Sequence, residues 1–437
     1  MITRRLQYEI VGRAVGPLLL KLEGLQATLK RRGRGRRPGP FGPPLEATRK
    51  LRELMSLHYL VGRYADGAVP VAWVTSGFPA EVLRTLGFFV VYPENHAAFC
   101  AARRLVPELA EVVERAGYSR DLCCYARCDL GSVMSGKTPV GRVPRPDLLC
   151  CATNICQTVL YWYRALAEHF RVPLVLVDTP FVYGEAKPHH VAYVVDQFEE
   201  LASVAERVAG RRVDPEDLRR VVTLAKEGTD LWGACLRAGR SKPAPWTGFD
   251  HFFHMAPIVA LRGTEECNAY YRLLQAELED RARRGVGGIT NERVRLLWDN
   301  LPIWFKLREL STLLAEDGFN LVTTTYTNAW AESGCLIDPA DPIRSGARAY
   351  LHTILNCDLL LKLRLMQRLA AEYDVQGAIL HSDRSCKPYS IGQIDLKDRL
   401  AAGGLKVLVL EADHGDQRAY AAEQAETRLR AFMETFA

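Results

Sequence analysis

DLLCCATNICQTVLYWYRALAEHFRVPLVLVDTP, residues 147–180, decides the fold. An apolar run, DLLCCAT (147–153), leads into helical spacing over 155–170 and then a second apolar run, VPLVLVDTP (172–180). Apolar runs of this length, without polar alternation and on either side of a helix, predict parallel strands covered on both faces. Working outward, VPVAWVT (69–75) and FFVVYPE (88–94) read as two earlier strands with a short helix, PAEVLRTLG (79–87), between them. Residues 95–117 keep helical periodicity. Beyond 180, QFEELASVAERVAG, DPEDLRRVVTLAKE and NAYYRLLQAELEDRARR make 190–283 largely helical. Strands resume with VRLLWDN (294–300), FNLVTTTYT (319–327), GAILHSD (377–383) and LKVLVLEAD (405–413), and a helix closes the chain over 417–436. The expected fold is α/β: two Rossmann-like, doubly wound parallel-sheet domains joined by a helical region. The expected boundaries are 1–66 for N-terminal helices with a basic Pro/Gly linker, 67–190, 191–290 for the helical region, and 291–437. The two α/β halves look like a distant duplication. Sheets of this kind bind ligands at the carboxyl ends of their strands.

The chain has 437 residues, 48% hydrophobic and 25% charged, a globular mixture. No apolar run reaches the roughly 18 residues that span a bilayer, so no membrane association is expected. The start, MITRRLQYEIVGR, has no signal-peptide core. The expected compartment is the cytoplasm, where disulfides are rare. The net charge of +6 leans on KRRGRGRR (30–37), six basic residues of eight, running into PGPFGPP. That segment lies between a helix over 1–29 and another over 45–66. It lacks interleaved aromatics and reads as a solvated linker rather than a nucleic-acid arm.

Twelve cysteines in such a chain are thiols or ligands. Cys235, Cys267, Cys335 and Cys357 read as small buried hydrophobes. Seven others stand out: Cys123, Cys124 and Cys128 in one run, Cys150, Cys151 and Cys156 in a second, and Cys386 in HSDRSCK. Soft thiolates gathered from distant stretches suit an iron–sulfur cluster. Cys156 opens a helix after a strand, where N–H groups and the helix dipole favour a thiolate. Cys386 follows a strand of the second half. Ligands drawn from both halves would place the cluster in the cleft between them. His189, His190, His251 and His254 read as surface or capping histidines. No GxGxxG, GxxxxGK[ST] or GxSxG is present, which speaks against nucleotide binding in the Rossmann or P-loop sense.

Ordered blocks then agree with one family. YPENHAA (92–98), AGYSRDLCCYARCDLG (116–131), PRPDLLCCATNICQTVLYWY (144–163), FFHMAPIVALRGTEE (252–266), RLLWDNLPIW (295–304), TTTYTNAWAE (323–332), HSDRSCKPYSIGQ (381–393) and EADHGDQRAY (411–420) resemble the iron–sulfur catalytic subunits of 2-hydroxyacyl-CoA dehydratases and benzoyl-CoA reductases. The resemblance covers residues 60–437. It implies a 4Fe–4S cluster held by three cysteines with one iron left open. Cys123 and Cys386 match two ligand positions. The third position departs from the family, since no cysteine lies between 88 and 99. Cys156 is the replacement candidate, with Cys100, Cys124 or Glu94 as alternatives. The resemblance also implies a paralogous second subunit or a self-dimer, an ATP-dependent iron–sulfur activator, and a CoA thioester substrate.

The chemistry explains the parts. A 2-hydroxyacyl-CoA must lose a β-proton that its carbonyl does not acidify, beyond the reach of ordinary side-chain bases. The family's solution is one low-potential electron, which makes a ketyl radical anion that expels hydroxide and acidifies the β-proton before the electron returns. The first expectation is therefore radical 2-hydroxyacyl-CoA dehydration. The alternatives are an ATP-dependent aromatic-ring reductase of the benzoyl-CoA type, and a non-catalytic cluster-carrying or scaffold subunit. Glu94 and His96 are the expected proton-transfer groups. Tyr125 and Ser385, beside candidate ligands, are expected to donate hydrogen bonds to cluster sulfurs. Asp299 and Trp304 are candidates for the acyl pocket, with Trp304 also reading as core, and Arg384 is placed to offset cluster charge.

Overall fold

Two four-stranded parallel sheets organise the chain. The computed structural model describes residues 3–20 and 39–436. The basic segment 30–37 and the end of the helix expected over 1–29 lie outside the described residues. The first sheet holds β1 (Val71–Val74), β2 (Phe89–Val91), β3 (Leu148–Ala152) and β4 (Leu174–Val177) in the order β2-β1-β3-β4. The second holds β5 (Val294–Asp299), β6 (Phe319–Thr324), β7 (Gly377–Asp383) and β8 (Lys406–Ala412) in the order β6-β5-β7-β8. Renumbered from its own first strand, the second sheet repeats the order of the first, as a duplicated unit would.

Helices on both faces keep most strands dry. β1, β3, β5 and β6 are buried at every residue. Because successive side chains point to opposite faces, neighbouring residues enter different cores. Cys150 packs with Ala72, Val74 and Val175, whereas Cys151 packs with Trp73 and Leu149 on the far side. The edge strand β8 alternates exposed and buried positions near its end, as a half-covered strand should.

Between the sheets lie the helices Pro188–Ala209, Pro215–Arg237, Gly248–His254, Ala256–Ala260 and Glu265–Arg283. Their starts carry ordinary signals. Asp214 accepts from the N–H of Glu216 at 2.7 Å, and Thr247 and Asp250 form a capping box.

Some boundaries differ from the sequence expectation. The strand expected over 88–94 stops at Val91, because Pro93 takes the first position of the helix Pro93–Ala102. β6 stops at Thr324, whose hydroxyl caps the helix Thr325–Glu332 by accepting from Thr327 N at 3.0 Å. The β-branched run TTTYT therefore ends as a cap rather than a strand. The region 1–29 begins as the helix Arg4–Ile10 and continues as a π-helical turn, Val11–Val15. His251 and His254, expected at the surface, are buried. The His251 ring lies 4.1 Å from that of Trp246, and His254 bonds the Tyr270 hydroxyl. Cys335, expected inside, is exposed, and Cys357 is half-buried, while Cys235 and Cys267 are fully buried. Among the described residues no helix is long and apolar enough to cross a membrane.

Candidate functional site

Strand order reverses between β1 and β3, and again between β5 and β7, and such switch points open crevices beyond the carboxyl ends of the strands. Ser76 follows β1, Ile155 and Cys156 follow β3, Leu301 follows β5 and Cys386 follows β7. All five line one cleft, whose space including its open mouth is about 1600 Å³.

Three thiols line it. Cys123, Cys156 and Cys386 are each half-buried, free and on the cleft wall. Cys123 stands at the N-cap of the helix Cys124–Ser135, without bonding its own helix. Cys156 sits in the turn before the helix Thr158–Phe170. Burial pushes its thiol up to about 12, the nearby Cys123 adds to this, and the N–H groups of Val159 and Thr158 act against it. Cys386 caps the short helix Lys387–Ser390, and burial, with Asp383 nearby, holds its thiol well above the ordinary range. Cys123 lies near enough to both to add to the upward shift of each thiol.

Glu94 completes the floor. It lies in the first turn of the helix Pro93–Ala102, where its Oε1 accepts from Ser76 N at 3.0 Å. Its Oε2 is buried without a partner among the described residues. Burial raises the carboxyl to about 8, against the Ser76 bond, so Glu94 is protonated at neutral pH. Tyr125 also lines the cleft. Its hydroxyl accepts from the Trp304 indole N–H, which leaves the phenol proton free to donate. Its ring stands edge-on to His414 at 4.2 Å.

Other expected residues lie elsewhere. His96 is two positions after Glu94, about 200° around the helix, and does not line the cleft. It bonds Thr138 Oγ1 at 2.7 Å and approaches Cys100 Sγ at 3.6 Å. Ser385 does not line the cleft either. Its hydroxyl accepts from Cys124 N at 3.2 Å and so joins the two α/β units. Among the alternatives for a third donor, Glu94 reaches the cleft, whereas Cys100 and Cys124 do not. Cys124 points to His414 Nε2 at 2.9 Å, in a buried group with Asp413. Asp299, a candidate for the acyl pocket, is instead buried against Lys362 at 2.8 Å and Thr325 at 2.7 Å. Trp304, the other, braces Tyr125 from behind. Arg384 is exposed. Ser76, Tyr326, Tyr389 and His414 line the cleft and were not singled out from sequence. Ser76 had a usable signal, since it directly follows an apolar strand.

Residues 75–436 match the family described as 2-hydroxyglutaryl-CoA dehydratase, D-component. The chain belongs to this family. It is 34% identical to the (R)-2-hydroxyisocaproyl-CoA dehydratase alpha subunit of Clostridioides difficile, over 84% of this chain and 90% of that one. It is 31% identical to the (R)-phenyllactyl-CoA dehydratase alpha subunit of Clostridium sporogenes, over 83% and 89%. It is 27% identical to one of the subunits of benzoyl-CoA reductase from Thauera aromatica, over 88% and 93%. The family resemblance and the two-sheet α/β fold expected from sequence therefore hold, and the chain is a subunit of the dehydratase type.

The donor set suits the group this family implies. Three unpaired thiols share one wall, and backbone N–H groups face Cys156 and Cys386. Soft donors with N–H bonds to sulfur are the usual setting of an iron–sulfur cluster.

Proposed function

We propose that this chain is the cluster-bearing subunit of a radical 2-hydroxyacyl-CoA dehydratase. The observation that carries the reading is the placing of Cys123, Cys156 and Cys386 on one cleft with a buried carboxyl, Glu94, on the same cleft. Cys123, Cys156 and Cys386 would hold a 4Fe–4S cluster with one iron open. When bound, it supplies a one-electron couple and a Lewis-acid position for a substrate oxygen.

The chain's own residues supply the rest. Loss of water requires a proton for the departing hydroxyl, and Glu94 carries one at neutral pH on a carboxyl held by Ser76. Tyr125 offers an O–H to an oxygen in the cleft. Apolar walls exclude water, which strengthens each of these interactions. The twelve cysteines are all free, which supports a reducing compartment such as the cytoplasm. The relatives named above are subunits, so we place this chain beside a second subunit, paralogous or identical. An ATP-dependent iron–sulfur activator would deliver the electron.

The test is iron and acid-labile sulfide on anaerobically purified protein. About four irons per chain, lost in Cys123→Ala, Cys156→Ala and Cys386→Ala but kept in Cys235→Ala, is the expected result. Absence of iron under strict anaerobiosis would end the reading. The relative from Thauera aromatica supports a second reading, an aromatic-ring reductase. The two separate by stoichiometry: a dehydratase turns over with catalytic reductant, a reductase consumes it mole for mole.

A further inference from the structure

We infer that the acyl chain taken in this cleft is uncharged and apolar, and that a second carboxylate is excluded. The inference rests on the CoA-thioester reading above and specifies its substrate class.

A dicarboxylate needs a cation, or a set of free donors, where its far end lands. Among the described residues, the basic side chains on the cleft wall are Arg262, His352 and His414. Two are committed inside the protein. Arg262 is paired to Glu81 at 2.9 Å, with its remaining bonds to Phe78 O at 3.3 Å and the Tyr350 hydroxyl. His414 has one ring nitrogen 2.6 Å from Asp383 Oδ2 and the other 2.9 Å from Cys124 Sγ. His352 is exposed and bonds its own helix at Arg348 O.

The surface beside the thiols points the same way. Val159, Leu301 and Tyr389 are buried in the same apolar cluster against which Cys123, Cys156 and Cys386 pack, and Ile155, Ile354 and Leu355 extend it. All six line the cleft. A hydroxyacyl carbon brought to the thiols must lay its side chain on this wall. A hydrocarbon chain gains about fourfold in affinity per buried methylene there, whereas a carboxylate would give up its water against a wall that is mostly hydrocarbon.

The test is calorimetric binding of unreactive saturated thioesters to the anaerobically purified protein with its partner subunit. The probes are 4-methylpentanoyl-CoA, 3-phenylpropanoyl-CoA, glutaryl-CoA and free CoA. The apolar thioesters should bind at least about 100-fold tighter than glutaryl-CoA. Glutaryl-CoA binding within about threefold of the apolar pair would overturn the inference and leave the CoA-thioester reading standing. If no acyl-CoA binds better than free CoA, the inference and the reading it rests on both fall. Leu355→Arg places a guanidinium in the half-buried wall and should narrow the ratio at least about tenfold, with Ile354→Lys as the second variant should the first not fold. An unchanged ratio in a folded variant would overturn the assignment of this wall to the acyl chain.

Discussion

Replacing Glu94 by Gln isolates one ionisation with a large energetic consequence. In the fold the carboxyl stays protonated up to about 8, whereas its ordinary value is 4.5. Between those values the folded chain binds a proton that the unfolded chain has released. Stability therefore falls as pH rises through that window, and the loss is complete above pH 8. At about 1.36 kcal/mol per pH unit, the gap between 4.5 and about 8 amounts to about 5 kcal/mol. Gln cannot ionise, and its carbonyl can still accept from Ser76 N, the bond that Oε1 makes at 3.0 Å. Wild type and Glu94→Gln should match at pH 4.5, and the variant should gain steadily up to about pH 8 and then level off. For a chain of 437 residues unfolding as one unit, about 2.1 cal/mol/K per residue converts 5 kcal/mol to about 5 °C in Tm. Differential scanning calorimetry of both proteins, at unit steps from pH 5 to 9, reads this directly. A Tm difference that stays constant across that range would refute the argument, because it would mean Glu94 ionises alike folded and unfolded.

Lys362→Met strands Asp299, which is fully buried and 2.8 Å from that ammonium. Urea unfolding should register a loss of about 3–5 kcal/mol, most of it recovered when Asp299→Asn is added. Burial holds His251 and His254 down to about 3. The unfolded chain therefore gains protons first as pH falls below 6.5, and stability declines from there toward pH 3. His251, whose two ring nitrogens have no partner among the described residues, contributes part of this slope, and His251→Phe should flatten it in acid titrations followed by circular dichroism. Gly415→Ala brings a Cβ to 2.8 Å from Cys124 Sγ and 3.3 Å from Ala101 Cβ. A loss of about 1–3 kcal/mol is expected in the same urea assay.

The strands were legible because burial on both faces leaves a mark in each strand itself: uninterrupted apolar runs such as LLCCA and VAWV. Cap geometry was less so. Thr324 looks like one more β-branched strand residue until its hydroxyl is seen to accept from Thr327 N. At the site, a thiol following a strand suggests a position beyond the sheet, and Cys156 and Cys386 do stand there. Direction around a helix was harder to read. YPENH offers an acid and a base side by side, but only the start of the helix at Pro93 separates Glu94 in the cleft from His96 behind it. Pairings across the molecule left no local trace. Trp304 and Tyr125 are 179 positions apart, and Lys362 and Asp299 are 63 apart, so neither assignment was available to periodicity or spacing.

The division of the thiols between the two units sets a mechanical requirement. Cys123 and Cys156 come from the first sheet's unit and Cys386 from the second's, so their spacing depends on how the units are held. Residues adjoining the thiols provide the hold. Cys124 N donates to Ser385 Oγ, Cys124 Sγ meets His414, and the Trp304 N–H reaches Tyr125. Arg127, on the helix that Cys123 caps, pairs with Asp416 at 3.0 Å and is almost fully buried. Apolar contacts tolerate sliding, whereas buried hydrogen bonds and ion pairs are directional and are lost within a fraction of an ångström. A junction built from such bonds, one residue away from Cys123 and Cys386, fixes the thiols without using the thiols themselves. The polar neighbours Cys124, Tyr125 and Ser385 act as braces, which is the arrangement a preorganised site requires.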